Sequence, residues 1–145
     1  MSNSPVIIEK PLYTAVAVST GGRDGRVRSD DGTLDLPVAM PKSLGGPGTA
    51  GTNPEQLFAA GYSACFGSAV AHAARLKKVT TGPVEITARV AIGKVGPAFG
   101  LAVELLARLP ELPREEAEAL LATAHQICPY SNATRGNIVV EVKLA

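Results

Sequence analysis

Strict alternation of apolar and polar side chains marks several strands. Residues 13–20 alternate as a strand that Gly21-Gly22 ends in a turn. A short strand follows around residues 26–29, Asp30-Asp31-Gly32 reads as a hairpin turn, and residues 33–38 as the returning strand. Further along, Ile86, Ala88, Val90 and Ile92 alternate with Glu85, Thr87, Arg89 and Ala91, which predicts a half-buried strand. Phe99, Leu101, Val103, Leu105, Ala107 and Leu109 repeat the pattern, so the two strands form a hairpin across residues 93–98. Helical spacing takes over at residues 114–127. Glu115 and Glu116 favour its first turn, and Ala117, Leu120, Leu121, Ala124 and Ile127 make its apolar face. Pro129 pushes Cys128 out of regular helix and stops it there. Ile138, Val140, Val142 and Leu144 close the chain as an alternating strand. Strands, helix, strands, helix, strand make an α+β domain.

The helix between the two groups of strands has a different pattern. Residues 53–78 carry no charge between Glu55 and Arg75 and hold Ala59, Ala60, Ala64, Ala69, Ala71, Ala73 and Ala74. Asn53 can cap this helix, Pro54 suits its first turn, and Gln56 stands where a capping-box partner belongs. Small residues around the whole circumference predict a helix buried on most sides, with another backbone close by. Gly61, Ser63, Gly67, Ser68 and His72 make the run too polar and small-sided for a membrane span. Phe58, Tyr62 and Phe66 recur every four residues beside Cys65. On this pattern alone Cys65 also reads as a small hydrophobe in a packed core.

Length and charge narrow the functional classes. The chain has 145 residues, enough for one domain, 1–145, with a real core. Fourteen Lys and Arg against thirteen Asp and Glu leave a net charge of +1, and no basic patch interleaved with aromatics suggests nucleic acid. Residues 1–5 lack a basic-then-apolar signal peptide, so the expected compartment is the cytoplasm. Two cysteines there are poorly suited to a static staple, and a bond between them would be catalytic or redox-linked. Residues 37–52 hold Pro37, Pro41, Pro47 and four glycines, a long loop that either shapes a pocket or merely connects.

Two cysteines and two histidines raise zinc first. Cys65 and His72 are seven apart on one helix, about 10 Å along its axis, too far to converge on one ion. No metal is expected, and His72 and His125 read as helix-face residues. Thiol chemistry suits the pattern better. A thiolate attacks a peroxide oxygen to give a sulfenic acid, which a second thiol condenses to a disulfide. Cys65 on a buried helix and Cys128 at a proline-broken helix end suit those two roles. Arg23, in a flexible turn, can supply the cation that favours a thiolate, or can be an ordinary surface turn residue. Glu55 can hold a guanidinium in a bidentate pair, or only favour its helix's N-terminus.

Four stretches carry a family resemblance: Gly21-Gly22-Arg23-Asp24-Gly25, the run 52–62 (TNPEQLFAAGY), Ala64-Cys65-Phe66, and the run 128–137 (CPYSNATRGN). In order and spacing they resemble the organic hydroperoxide resistance (Ohr) branch of the OsmC/Ohr superfamily, from about residue 13 to the C-terminus. The resemblance implies a thiol-dependent peroxidase that reduces organic hydroperoxides, including fatty-acid hydroperoxides, to alcohols. In it Cys65 matches the peroxidatic cysteine and Cys128 the resolving one. Arg23 and Glu55 match the pair that activates the thiolate and steers the peroxide. It further implies an intertwined homodimer with antiparallel sheets wrapped around two central helices, no bound metal or flavin, and re-reduction by a dithiol such as dihydrolipoamide on a lipoylated protein. The apolar company of the thiols, namely Phe58, Tyr62 and Phe66 with Ile127 and Tyr130, is the expected substrate pocket. Glu55 and Cys65 are ten helical residues apart, about 15 Å, so each site is expected to take Glu55 from the partner subunit. The competing readings are a non-enzymatic protein binding an apolar ligand and a general disulfide oxidoreductase; the missing C-x-x-C speaks against the latter.

Overall fold

The computed structural model describes residues 4–145; Met1, Ser2 and Asn3, part of the stretch expected to lack a signal peptide, lie outside the described residues. The chain, read from its length as one domain, divides into two compact units. One is Ile7–Leu57; the other is Phe58–Ala145 with residues 4–6.

The Ile7–Leu57 unit is built on an antiparallel meander of β1 (Ala17–Thr20), β2 (Gly25–Ser29) and β3 (Asp35–Val38). Only the last four residues of the strand expected over 13–20 join the ladder. The reason is the register: Ala17 already faces Ser29, the last residue of β2, and upstream of it, among the described residues, only Val16 C=O is bound, accepting the Asp30 N–H at 3.0 Å where the chain enters the turn. Thr33 and Leu34 likewise belong to the turn, because Asp31 Oδ1 accepts the Thr33 N–H at 2.9 Å and Leu34 C=O accepts the Ser29 N–H at 2.8 Å. The β1–β2 turn requires glycine at 25, where a Cβ would stand 1.8 Å from the Thr20 carbonyl oxygen. The long loop after β3 contains a short 3₁₀ turn, Lys42–Leu44, and is closed at its base. There Ala39 N–H donates to Thr52 C=O at 2.9 Å and Thr52 N–H to Pro37 C=O at 2.8 Å.

Helix α1 (Pro54–Lys77) starts as expected at Asn53, whose Oδ1 accepts the Gln56 N–H at 2.8 Å. The return half of a capping box is absent: the Gln56 side-chain oxygen accepts the Thr52 hydroxyl at 3.0 Å instead. Within the single chain α1 is buried along one face only, short of the expected burial on most sides. Tyr62, Phe66, Ala69, Val70, Ala73 and Ala74 are buried, whereas Ala60, Ala64, Ser68 and His72, on another face at i, i+4, i+8 and i+12, are exposed in the single chain. Alanine is compatible with either side of a helix, so its density does not report burial. By length and composition α1 is also apolar enough to cross a bilayer, but its buried face is part of a core.

In the larger unit β4 (Glu85–Val95) and β5 (Ala98–Arg108) form a long antiparallel hairpin, and β6 (Val140–Leu144) pairs with β5. The turn is tighter than the span 93–98, since Val95 and Ala98 are already paired and Gly96 turns at φ 56°. An all-antiparallel sheet is corrected too: β5 and β6 run parallel, Val103 opposite Val140. Two helices lie between those strands, long enough to return the chain to the same end of the sheet. They are α2 (Arg114–Ile127), as expected, and the short α3 (Pro129–Thr134). Pro129 ends one helix and opens the next, where its missing N–H costs nothing at the first helical position. Val103, Leu105 and Ala107 from β5, Ala117, Leu120, Leu121 and Ala124 from α2, and the buried face of α1 make one core, with Cys128 fully buried at its edge.

Candidate active site

In the smaller unit the turn after β1 presents Arg23 to Glu55 in the first turn of α1. Gly21 and Gly22 both take positive φ, 82° and 60°, and Asp24 N–H closes the turn on Gly21 C=O at 3.1 Å. Arg23 and Glu55 form a two-pronged pair, Nη1 to Oε2 at 2.8 Å and Nη2 to Oε1 at 2.7 Å. The Glu55 side chain is only 13% exposed. Hydrogen bonding from Arg23 lowers the Glu55 pKa against the opposing effect of burial, and the same bond raises that of Arg23. Both partners are therefore charged, and the fork occupies two of the five guanidinium N–H donors.

In the larger unit the two thiols meet. Cys65 lies in the middle of α1 and Cys128 between α2 and α3, with Sγ atoms 3.5 Å apart and both cysteines reduced. A disulfide needs about 2.05 Å, so closing the bond requires an approach of roughly 1.5 Å. Cys65 is part-exposed and Cys128 buried, so an external oxidant meets Cys65 first. Burial pushes the Cys65 thiol pKa up; the backbone of Tyr130 draws it down and Cys128 adds to the rise. Within this unit Cys65 therefore has a thiol that resists ionisation, and a thiolate there needs a cation.

In the same unit the rings of Phe58, Tyr62 and Tyr130 cluster, with centroids 5.5 to 6.0 Å apart. Gly61 allows this approach, because a Cβ there would stand 2.7 Å from the Tyr130 hydroxyl. Tyr62 and Phe66 are fully buried and lie in the core; Phe66 packs near His125, at 6.4 Å between ring centroids. Ile127 lines a cleft of about 300 Å³ at Cys65, which also takes in Ser68, Ala69, His72, Arg75 and Pro129. Of the five residues expected as a pocket, Phe58, Tyr62 and Tyr130 thus form one aromatic cluster, Ile127 lines the cleft, and Phe66 packs beneath. Among the described residues no three His, Cys, Asp or Glu side chains converge as a metal site.

Sequence reasoning passed over a buried polar chain beside Cys128. His125 Nδ1 is 2.7 Å from Ser131 Oγ, Ser131 Oγ is 2.8 Å from the Tyr62 hydroxyl, and that hydroxyl is 3.2 Å from Thr134 Oγ1. Ser131 and Thr134 stand in the recognised 128–137 run, which was a signal; His125 had none beyond its helical position.

The model of the OsmC-like protein family matches residues 45–143. The chain is 53% identical over 138 residues to an organic hydroperoxide resistance protein of Xanthomonas axonopodis pv. citri, covering 94% of this chain and 97% of that one. A crystal structure of an organic hydroperoxide resistance protein from Legionella pneumophila superposes with a TM-score of 0.89 at 48% identity, covering 94% of this chain and 99% of the other. That of the organic hydroperoxide resistance protein OhrB of Bacillus subtilis gives 0.85 at 43% identity, covering 93% and 100%. With this breadth of match and the α+β fold in common, the chain belongs to the OsmC-like protein family, in its organic hydroperoxide resistance branch.

Proposed function

We propose that the chain is a cysteine-based peroxidase that detoxifies organic hydroperoxides. The observation that carries this reading is the pair of reduced thiols 3.5 Å apart, one accessible and one buried. The Cys65 thiolate attacks the terminal peroxide oxygen; the O–O bond breaks, the alkoxide takes a proton and leaves as alcohol, and Cys65 becomes a sulfenic acid. Cys128 then attacks the Cys65 sulfur, water leaves, and a Cys65–Cys128 disulfide holds the two oxidising equivalents. A dithiol of the dihydrolipoamide type, free or on a lipoylated protein, reduces it by exchange and is itself oxidised to a cyclic disulfide. No resident cofactor takes part.

Arg23 is the proposed cation for Cys65. The need for one follows from the burial that raises this thiol's pKa, and the two-pronged bond to Glu55 leaves further guanidinium donors for a thiolate or peroxide oxygen. Phe58, Tyr62, Phe66, Ile127 and Tyr130 are the proposed apolar surroundings of the alkyl group. The open row of α1, small at Ala60, Ala64 and Ser68, supports assembly as a homodimer through close helix approach; the proposed compartment is the cytoplasm.

The test is turnover of an alkyl hydroperoxide with dihydrolipoamide as reductant. Cys65→Ser should abolish consumption, and Cys128→Ser should consume one equivalent and then stall or overoxidise. Wild-type turnover in Cys65→Ser would refute the assignment. Hydrogen peroxide should be the poorer substrate by about 100-fold, since each buried methylene contributes roughly 0.8 kcal/mol that it cannot supply.

A further inference from the structure

The polar chain beside Cys128 has one direction in which every hydroxyl both donates and accepts. Thr134 Oγ1 donates to a backbone carbonyl, Tyr130 C=O at 2.9 Å, with Ser131 C=O at 3.3 Å as its alternative. With its single proton placed there, the 3.2 Å contact to Tyr62, in which either oxygen can donate, carries the tyrosine's proton. The Tyr62 oxygen then accepts the Ser131 hydroxyl proton across 2.8 Å, and Ser131 Oγ accepts from His125 Nδ1 across 2.7 Å. Four links end on a carbonyl and only three hydroxyl protons are available, so the fourth proton sits on His125 Nδ1. Reversing the direction takes the Thr134 proton from the carbonyl to Tyr62 and leaves Thr134 Oγ1 with no proton to accept.

This chain spans Cys128. His125 stands three residues before it on α2 and Ser131 three after it on α3, while Tyr62 anchors both to α1, the helix that bears Cys65. The flanking backbone is held as well: Cys128 N–H donates to Ala124 C=O at 2.9 Å, and Arg135 Nη2 donates to His125 C=O. Ser131 and Tyr62 are fully buried, so water does not compete for the Ser131–Tyr62 bond, while the His125 end is part-buried.

We propose that His125, Ser131, Tyr62 and Thr134 form a hydrogen-bond chain of fixed polarity, His125 Nδ1–H to Ser131 to Tyr62 to Thr134, that holds the Cys128 thiol over Cys65 and thereby sets how readily the disulfide closes. They are positioning residues for the resolving step. The proposal rests on the peroxidase reading only for its consequence in turnover: a sulfenic acid on Cys65 is partitioned between disulfide and irreversible sulfinic acid by how well Cys128 is placed.

Two measurements on the full chain test it. The equilibrium of the Cys65–Cys128 pair with reduced and oxidised glutathione gives the effective concentration of Cys128 towards Cys65 without any peroxide. It should fall about tenfold in Tyr62→Phe and in Ser131→Ala, each of which removes two hydrogen bonds. Under an alkyl hydroperoxide, both variants should form more Cys65 sulfinic acid per turnover, and Ser131→Ala, which lies outside the proposed substrate pocket, should keep the rate of the first oxidation. The polarity is read by His125→Asn, whose amide can donate from near the Nδ1 position and should preserve closure, against His125→Asp, which only accepts and should lose it. Effective concentrations within twofold of the parent in Tyr62→Phe and Ser131→Ala overturn the proposal, and equal closure in the Asn and Asp variants overturns the polarity. A parent chain that consumes no hydroperoxide would remove the peroxidase reading, and the glutathione equilibrium would still decide this one.

Discussion

At the scale of single residues, the Arg23–Glu55 pair makes two predictions. Both guanidinium prongs are engaged, at 2.8 and 2.7 Å, and a lysine ammonium has no planar fork to reproduce them. Arg23→Lys should therefore lower kcat/KM for an alkyl hydroperoxide at least about tenfold despite the conserved charge. Activity near the parent level would make Arg23 an ordinary turn residue. The second concerns pH. Because the Glu55 pKa is lowered by its bond to Arg23, the pair's stabilisation is present above the unfolded carboxylate pKa and is lost as pH falls through the lower folded value. Carboxyl NMR should show Glu55 titrating below its ordinary range, and Arg23→Ala should bring it back up; an unchanged titration would mean the fork does not persist in solution.

At the scale of elements, two glycines in α1 separate helix propensity from packing. At Gly67 a Cβ would meet only Ile86 Cγ1 at 3.5 Å, an ordinary contact. Gly67→Ala should stabilise the protein by about 0.5–1 kcal/mol through the smaller entropy cost of alanine in a helix. At Gly61 the same change puts Cβ 2.7 Å from the Tyr130 hydroxyl and 3.2 Å from its ring. There the propensity gain is offset by displacement of Tyr130 and strain of about 1–3 kcal/mol, so Gly61→Ala should be destabilising. Thermal denaturation of the two variants checks both, and a Gly61→Ala at least as stable as Gly67→Ala would show that Tyr130 yields freely.

At the scale of the whole molecule, the proposed homodimer makes a sharp test available. Each site is expected to pair the thiols of one chain with Glu55 of its partner. Mixing Cys65→Ser chains with Glu55→Ala chains should then yield heterodimers with one intact site and about half the parent activity per dimer. If each chain instead spoiled its own site, the heterodimer would be inactive. The mixture is assayed after separating the heterodimer by differently tagged copies.

Sequence periodicity alone determined the long elements. Alternation placed the β4–β5 hairpin, the 3.6-residue pattern placed α2, and Pro129 marked where it stops. Each of these depends on neighbours within a few residues, which is the range over which a pattern can be read. The motif runs likewise singled out both cysteines, Arg23 and Glu55 before any coordinates. Tertiary structure decided what depends on distant parts of the chain. It brought Cys65 within 3.5 Å of Cys128 across 63 residues, made β6 parallel to β5, left one face of α1 open, and cut β1 to four residues at the end of its partner. It also joined Tyr62 to Ser131 and Thr134, sixty-nine and seventy-two residues away, in a chain whose direction no local pattern encodes. The physical reason is common to all: an element follows from local backbone and side-chain preferences, whereas proximity follows from how many weak contacts across the core add together.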